Sequence, residues 1–317
     1  MFSLNKIPLV VIIGPTAVGK TDISIQAAKT LNGEIISADS MQIYRYMNIG
    51  TAKPTLYERQ GIPHHMIDIV DPNEEFSVAL FQKGANQSIK EIYDNGKLPI
   101  LSGGTGLYVN SILFPMNFSS SFEDADYRNH LNELSSNCGN TFVHNLLNNV
   151  DPKTAARLHP NDNRRVIRAL EVHHLTGKTM AEYQQDFNEI ETPYELILLG
   201  LTMDRQKLYD RINLRVDTMI ETGLIDEVKA LLDMGYSKNL ISMQGLGYKE
   251  VISYIDGLVT LAETKEILKR ATRRFAKRQQ TWYRREKRIL WLDTDSFSDR
   301  QEMLDWIILH IKKRLSL

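Results

Sequence analysis

Gly14 to Thr21 read GPTAVGKT: a glycine, four variable residues, then glycine, lysine and threonine. That spacing suits a loop whose backbone N–H groups close around a phosphate. Lys20 supplies a point charge for terminal phosphate oxygens, and the Thr21 hydroxyl is placed to ligate Mg2+. The remaining members, Pro15, Thr16, Ala17, Val18 and Gly19, contribute backbone donors at the start of a helix, where the N–H groups and the dipole both favour an anion.

Such a loop works only between a buried strand and a helix. The apolar run IPLVVII precedes it and the helical pattern KTDISIQAAKTL follows it. Further β-branched runs, EIISA, HMIDIV, LPILS, YELILLGL and RILWL, alternate with turn residues or helical patterns, as βαβ units require. The expected fold class is α/β: a P-loop NTPase-like, mostly parallel sheet flanked by helices. Between Met116 and roughly Leu198 the rhythm turns helical. Asp151 and Pro152 read as a helix start, and Gly177 closes a helix beginning near Asn163. The predicted organisation is a core of residues 1–115 and 199–317, with a C-terminal basic helical region, and an all-helical insertion of residues 116–198; the sheet resumes at Tyr194.

Two more stretches end at the edge where the phosphate loop lies. EIISADSMQIY sets Asp39 and Ser40 beyond the second strand, and LPILSGGTGLYV sets Gly103 to Gly106 beyond the fourth. Ligands of open α/β sheets gather outside the carboxyl ends of the strands, so Lys20, Asp39 and Thr105 are expected to converge. From the residues alone, Asp39 fits a Mg2+-holding carboxylate and a catalytic base equally well. GGTG likewise fits either a ligand loop or a tight strand-to-helix turn.

Composition narrows the class. The chain has 317 residues, 42% hydrophobic and 24% charged, enough for a buried core and a soluble surface. One cysteine, Cys138, excludes an internal disulfide and a cysteine-rich zinc site. No signal peptide and no run near the ~20 apolar residues of a membrane helix is apparent, so a cytoplasmic enzyme is expected. Net charge is −1, yet Lys265 to Arg288 holds eleven Lys and Arg against two Glu, a local +9 that leaves about −10 elsewhere. In TRRFAKRQQTWYRREKR a helical reading puts Leu268, Ala271, Phe275 and Trp282 on an apolar stripe, with Arg270, Arg274, Lys277, Arg278 and Arg285 facing elsewhere. Such a face is either merely solvated or binds nucleic-acid phosphates. His64 and His65 point to opposite faces of a strand and, like His173 and His174, do not suggest a metal site. Met41, Met47, Met219 and Met243 read as packing residues, some of them able to line a pocket.

Over nearly its whole length the sequence resembles the tRNA dimethylallyltransferases, also called tRNA isopentenyltransferases. The ordered blocks are GPTAVGKT, SADSMQIYRYMNIGTAKP, IPHHMIDIVDP, GGTGLY, LHPNDNRRVIRALEV, QGLGYKEV and ATRRFAKRQQTWYRR. The resemblance implies transfer of a dimethylallyl group from dimethylallyl diphosphate to N6 of the adenosine 3′ of the anticodon, tRNA position 37, with diphosphate released and Mg2+ as cofactor. It implies Asp39 as general base, Thr105 near the donor oxygen and target amine, and Lys20 on the leaving group. Arg215 in DRINLRVDTM becomes a candidate diphosphate ligand, although the helix pattern places it equally well in solvent beside Arg211. For tRNA the resemblance implies contacts from Asp39, Ser40, Met41, Gln42 and Thr105 at the flipped base. It adds Arg128, Asn163, Arg164, Arg165, Val166, Ile167 and Arg168 at the anticodon stem-loop, and Arg274, Lys277 and Arg278 on the basic helix. The absence of a terminal zinc finger suggests the bacterial form, with no obligate protein partner. The rival expectations are an adenylate isopentenyltransferase using free AMP, ADP or ATP, and a phosphate-loop kinase or NTPase.

Overall fold

The structure is a computed structural model and describes residues 6–114, 124–182 and 192–316. The chain forms two compact units, one of Met1–Ile112 with Pro193–Leu317 and one of Leu113–Thr192.

The first unit is built on a six-stranded sheet: β1 (Ile7–Ile13), β2 (Gly33–Ala38), β3 (His64–His65), β4 (Leu98–Gly103), β5 (Tyr194–Thr202) and β6 (Leu290–Asp293). The spatial order is β3-β2-β4-β1-β5-β6 and every pairing is parallel. Parallel strands covered on both faces read as continuous apolar runs, and β1 from Leu9 to Ile13 is wholly buried for that reason. Helices α1 (Lys20–Thr30), α2 (Val78–Asp94) and α3 (Gly106–Leu113) follow β1, β3 and β4. Later come α8 (Arg205–Glu221), α9 (Leu224–Asp233), α10 (Tyr248–Ile255), α11 (Leu261–Tyr283) and α12 (Arg300–Leu315). One core gathers Val10, Ile12, Ile100 and Leu199 of the sheet with Ile23 of α1 and Ile307 of α12. A second gathers Met47, Val216, Val228, Met243, Tyr248 and Leu268, joining α8 to α11 with the segment after β2.

Three sequence expectations change. HMIDIV is not a continuous strand: β3 is only His64–His65, because Met66 and Asp68 take left-handed backbone conformations, with φ of 62° and 57°. Asp68 instead meets the buried ammonium of Lys53 at 2.6 Å, and Val70 returns as an isolated bridge to Tyr44. Next, the core resumes at Pro193 rather than at 199, because Tyr194 to Leu198 pair with β1 from Ile7 to Val11. The other predicted boundary, 115/116, lies outside the described residues. Finally, the buried face of α11 is Thr264, Leu268, Thr272, Ala276, Gln279 and Tyr283. Ala271 and Phe275 stand instead beside Arg270, Arg274 and Arg278, and Trp282 is partly exposed.

The second unit packs α4 (Ala125–Cys138), α5 (Asn140–Val150), α6 (Pro152–Ala155) and α7 (Asn163–Thr176) around Leu131, Val143, Leu147 and Leu170. Its helix ends are signalled in the sequence. The Asp124 carboxylate accepts from Tyr127 N, Asp151 accepts from Thr154 N ahead of Pro152, and Gly177 ends α7 at φ 69°. Among the described residues no helix is long and apolar enough to cross a membrane.

Candidate active site

The glycine loop between β1 and α1 needs backbone conformations that side chains resist. Gly14 and Gly19 have φ of 151° and 107°, and a Cβ on Gly14 would meet the Leu201 carbonyl oxygen at 2.6 Å. Lys20 folds back over this loop, donating from Nζ to the carbonyls of Gly14 (3.0 Å) and Pro15 (2.9 Å). Burial first, then the neighbouring Arg215 guanidinium, pull its pKa down to about 8, while Asp39 opposes the fall. Arg215 faces the loop rather than solvent: its Nη1 donates to Thr16 Oγ1 at 3.2 Å. Burial depresses its pKa too, against the attraction of Asp39 and Glu58. Among the described residues neither cation forms a salt bridge with a carboxylate. An anion entering here meets two partly desolvated positive charges with no internal counter-ion to displace.

Beyond β2 the chain turns back on Asp39. Oδ1 accepts from the amides of Met41 (2.9 Å) and Gln42 (3.3 Å), which fixes the carboxylate and leaves Oδ2 without a hydrogen-bond partner among the described residues. Thr105 is tied to the same turn. Its N–H donates to the Ala38 carbonyl at 3.1 Å, and its Oγ1 accepts from Ser40 N at 3.0 Å. The close approach requires Gly103, where a Cβ would lie 2.2 Å from the Ala38 oxygen.

Thr16, Asp39, Ser40, Met41, Thr105 and Arg215 border one cavity of about 520 Å3. Arg270, Ala271, Arg274, Phe275 and Arg278 of α11 line it as well, with the Arg278 guanidinium 5.7 Å from the Phe275 ring centroid. A second cavity of about 1040 Å3, bordered by Thr21, Ile25, Ile49, Leu56 and Tyr57, shares Arg215 and Met219 with the first. Met41 and Met219 thus face cavities, whereas Met47 and Met243 are fully buried.

Several predicted residues sit elsewhere. The Gln42 side chain is consumed internally, accepting from Ser37 Oγ at 3.0 Å and donating to the Thr51 and Ala52 carbonyls at 3.3 Å. It borders a small polar pocket of about 30 Å3 rather than either large cavity. Lys277 is exposed on α11 and lines neither. In the helical unit, Val166 and Ile167 lie in the core, so their side chains are closed to an RNA ligand. Asn163 is partly buried, and its Oδ1 has no hydrogen-bond partner among the described residues. Arg128 and Arg168 both grip the fully buried carboxylate of Glu171, at 2.8 and 2.7 Å, and Arg165 meets Asp162 at 3.1 Å. Arg164 is exposed. His65 bonds Glu34 at 2.6 Å, the Ile62 carbonyl is 2.8 Å from His64 Nδ1, and no group of three or more potential metal ligands occurs among the described residues.

No sequence pattern pointed to Gln279, which donates to the Gly104 carbonyl and accepts from Thr16 N, or to Glu227. The Glu227 carboxylate takes the amides of Asn48, Ile49 and Gly50 together with the Tyr248 hydroxyl. Arg270 was recognisable, since it begins an i, i+4 row with Arg274 and Arg278.

Comparison with known proteins agrees with this geometry. The model of a family described as IPP transferase matches residues 42–286, and one described as isopentenyl transferase matches residues 7–73. A tRNA dimethylallyltransferase of Alkaliphilus oremlandii is 54% identical over 304 residues, covering 96% of this chain and 97% of that protein. One from Carboxydothermus hydrogenoformans is 52% identical over 286 residues, covering 90% and 92%. The crystal structure of a tRNA isopentenylpyrophosphate transferase from Bacillus halodurans superposes with a TM-score of 0.75 at 50% identity, covering 98% of this chain and 97% of that one. A eukaryotic dimethylallyltransferase acting on tRNA gives 0.77 at 35% identity, covering 90% and 73%. With a phosphate loop, a fixed carboxylate and near full-length identity to these enzymes, the chain belongs to the IPP transferase family of tRNA dimethylallyltransferases.

Proposed function

We infer that the protein transfers a dimethylallyl group from dimethylallyl diphosphate to N6 of adenosine 37 of tRNA, releasing diphosphate. The observation that carries this reading is one cavity bordered both by Arg215, whose guanidinium reaches Thr16 of the glycine loop beside Lys20, and by Asp39, a fixed carboxylate whose Oδ2 has no hydrogen-bond partner among the described residues. Breaking the allylic C–O bond sends its electron pair to the diphosphate, and donors already aimed at those oxygens stabilise the transition state. Lys20 exchanges its two loop carbonyls for the diphosphate, and Arg215 holds the same anion from the Thr16 side. The adenine amine is a weak nucleophile because its lone pair is delocalised. As the C–N bond forms, its proton passes to Asp39 as general base. Thr105, bound to the Asp39 turn through Ser40, keeps that turn against the target amine.

Mg2+ fits the donor set. Thr21 offers one hard oxygen at the edge of the larger cavity, the phosphate-loop position whose hydroxyl would hold Mg2+, with substrate phosphates and water filling the remaining places. When bound, it supplies Lewis-acid charge to the leaving group. A kinase or NTPase fits less well. In phosphate-loop NTPases an aspartate helps hold the metal, whereas β4, the strand beside β1, ends here in Ser102 and Gly103.

A base stacked in an anticodon loop must be extruded to reach Asp39, and protein contacts offset that cost of a few kcal/mol. The row Arg270, Arg274 and Arg278 is suited to backbone phosphates beside the cavity. In the helical unit Arg128, Arg164, Arg165 and Arg168 are suited to the anticodon stem-loop. A tRNA substrate makes this a cytoplasmic enzyme, and one chain supplies every residue named.

The test is to incubate the protein with labelled dimethylallyl diphosphate, Mg2+ and either unmodified tRNA or AMP, with ATP alone in parallel. Label in tRNA only is the expected result. Label in AMP, or phosphate released from ATP, overturns the reading.

A further inference from the structure

Gln279 is a polar side chain 6% exposed near the C-terminal end of α11, and both ends of its amide reach loops of the site. Oε1 accepts from Thr16 N at 2.8 Å, and Nε2 donates to the Gly104 carbonyl at 3.0 Å. Its partners stand 263 and 175 residues away in sequence, so no local turn explains the geometry. The fit is tight: a Cβ on Gly104 would meet Nε2 at 2.2 Å, and a Cβ on Gly106 would meet the Trp282 ring at 2.3 Å. Helix α11 therefore approaches the GGTG loop at two points one turn apart.

Each partner leads to one end of the reaction. Thr16 is the loop residue that Arg215 grips, on the diphosphate side. Gly104 precedes Thr105, which holds Ser40 and hence the turn carrying Asp39. An allylic carbon leaving one loop must arrive at an amine presented by the other, and one rigid side chain spans the two. A misplacement of about 1 Å between reacting groups can lower a rate by about 100-fold.

We propose that Gln279 is a positioning residue for the transfer, setting the gap between the diphosphate cradle and the Asp39–Thr105 turn. The proposal rests on the function inferred above. Buried and engaged at both ends, Gln279 is distinct from its neighbours Arg274 and Arg278, which line the cavity and are open to a ligand.

The test uses the full chain. Gln279→Leu removes both bonds, and kcat should fall about 100-fold with the Kd for tRNA within about twofold. Gln279→Glu keeps an acceptor for Thr16 N and loses the donor to Gly104, so a fall of about tenfold is expected. Gly104→Ala pushes against the amide from the other side and should reproduce the Gln279→Leu defect. Because both act on one contact, the double variant should be no slower than the slower single one. Hydrogen exchange at the Thr16 amide supplies a readout independent of turnover: protected in the wild type, faster in Gln279→Leu. If Gln279→Leu does not fold, Gln279→Glu and Gly104→Ala decide. A lowered Tm with kcat unchanged would reduce Gln279 to packing, and a tenfold weaker tRNA Kd with kcat retained would make it an RNA contact; either overturns the proposal. Wild-type protein that moves no label to tRNA, while Thr16 protection still depends on Gln279, would sink the functional reading and leave the spacer in place.

Discussion

Arg215 of the core and the arginines gathered around Glu171 in the helical unit are used in opposite ways. In the core, Arg215 lies among desolvating neighbours beside Lys20, and among the described residues it has no ion-pair partner. In the helical unit, Arg128 and Arg168 share the buried carboxylate of Glu171, and Arg165 has Asp162. The difference matches the anions each suits. A compact diphosphate can repay the desolvation of two unpaired cations, because charge-assisted hydrogen bonds strengthen where water is excluded. Phosphates along an RNA backbone are spaced and hydrated. Half-exposed guanidiniums held in place by an internal counter-ion suit such phosphates, with release of condensed ions supplying much of the affinity.

The contrast can be broken at several points. The largest effect is expected from Asp39→Ala, which should lower kcat at least ~100-fold in single-turnover assays while filter binding shows tRNA affinity nearly unchanged. Equal losses in both would make Asp39 a structural or metal-holding residue. Arg215→Gln should raise KM for dimethylallyl diphosphate about 30-fold, the scale of a lost charge-assisted bond, with tRNA affinity steady. Titration gives the next effect. Lys20 with a pKa near 8 is protonated below that pH and neutral above it, and only the protonated form favours the anion. KM for dimethylallyl diphosphate should therefore be flat below pH 8 and climb toward about tenfold per pH unit above it. In Lys20→Met that limb should vanish. The smallest effect belongs to the helical unit: Arg164→Ala should weaken tRNA binding a few-fold and reduce the salt slope by about 1, leaving kcat in place. An Arg164 variant that changed kcat and not the salt slope would erase the distinction between the units.

What the sequence disclosed follows from the range of the forces involved. β1, β4 and β5 were legible because strands covered on both faces must be apolar throughout, and the glycine loop because its conformations demand particular residues at fixed offsets. The strand HMIDIV was over-read because its left-handed residues are held by tertiary contacts, including the Lys53–Asp68 pair, which no local pattern signals. On α11 the large side chains Phe275 and Trp282 attract an apolar reading. The face actually buried uses Thr272, Ala276 and Gln279, small or polar residues that let the helix come close to the two loops. Arg215 and Arg211, four residues apart, are equivalent in sequence and both reach the glycine loop, but the path of α8 leaves Arg211 exposed, 3.5 Å from the Val18 carbonyl, and brings Arg215 into the cavity beside Thr16 and Asp39. Gln42 was legible as a residue near the site, but its bonds to Ser37, Thr51 and Ala52 depend on where the following segment folds.

Three consecutive amides, Asn48, Ile49 and Gly50, converge on the Glu227 carboxylate, which also accepts from the hydroxyl of the wholly buried Tyr248. A run of convergent N–H groups is ordinarily an invitation to a phosphate. Here the fold has filled its own vacancy beside the larger cavity. A stray polyphosphate would have to evict a carboxylate anchored from beneath before lodging there, which steers incoming anions toward the glycine loop and the reacting end of the molecule.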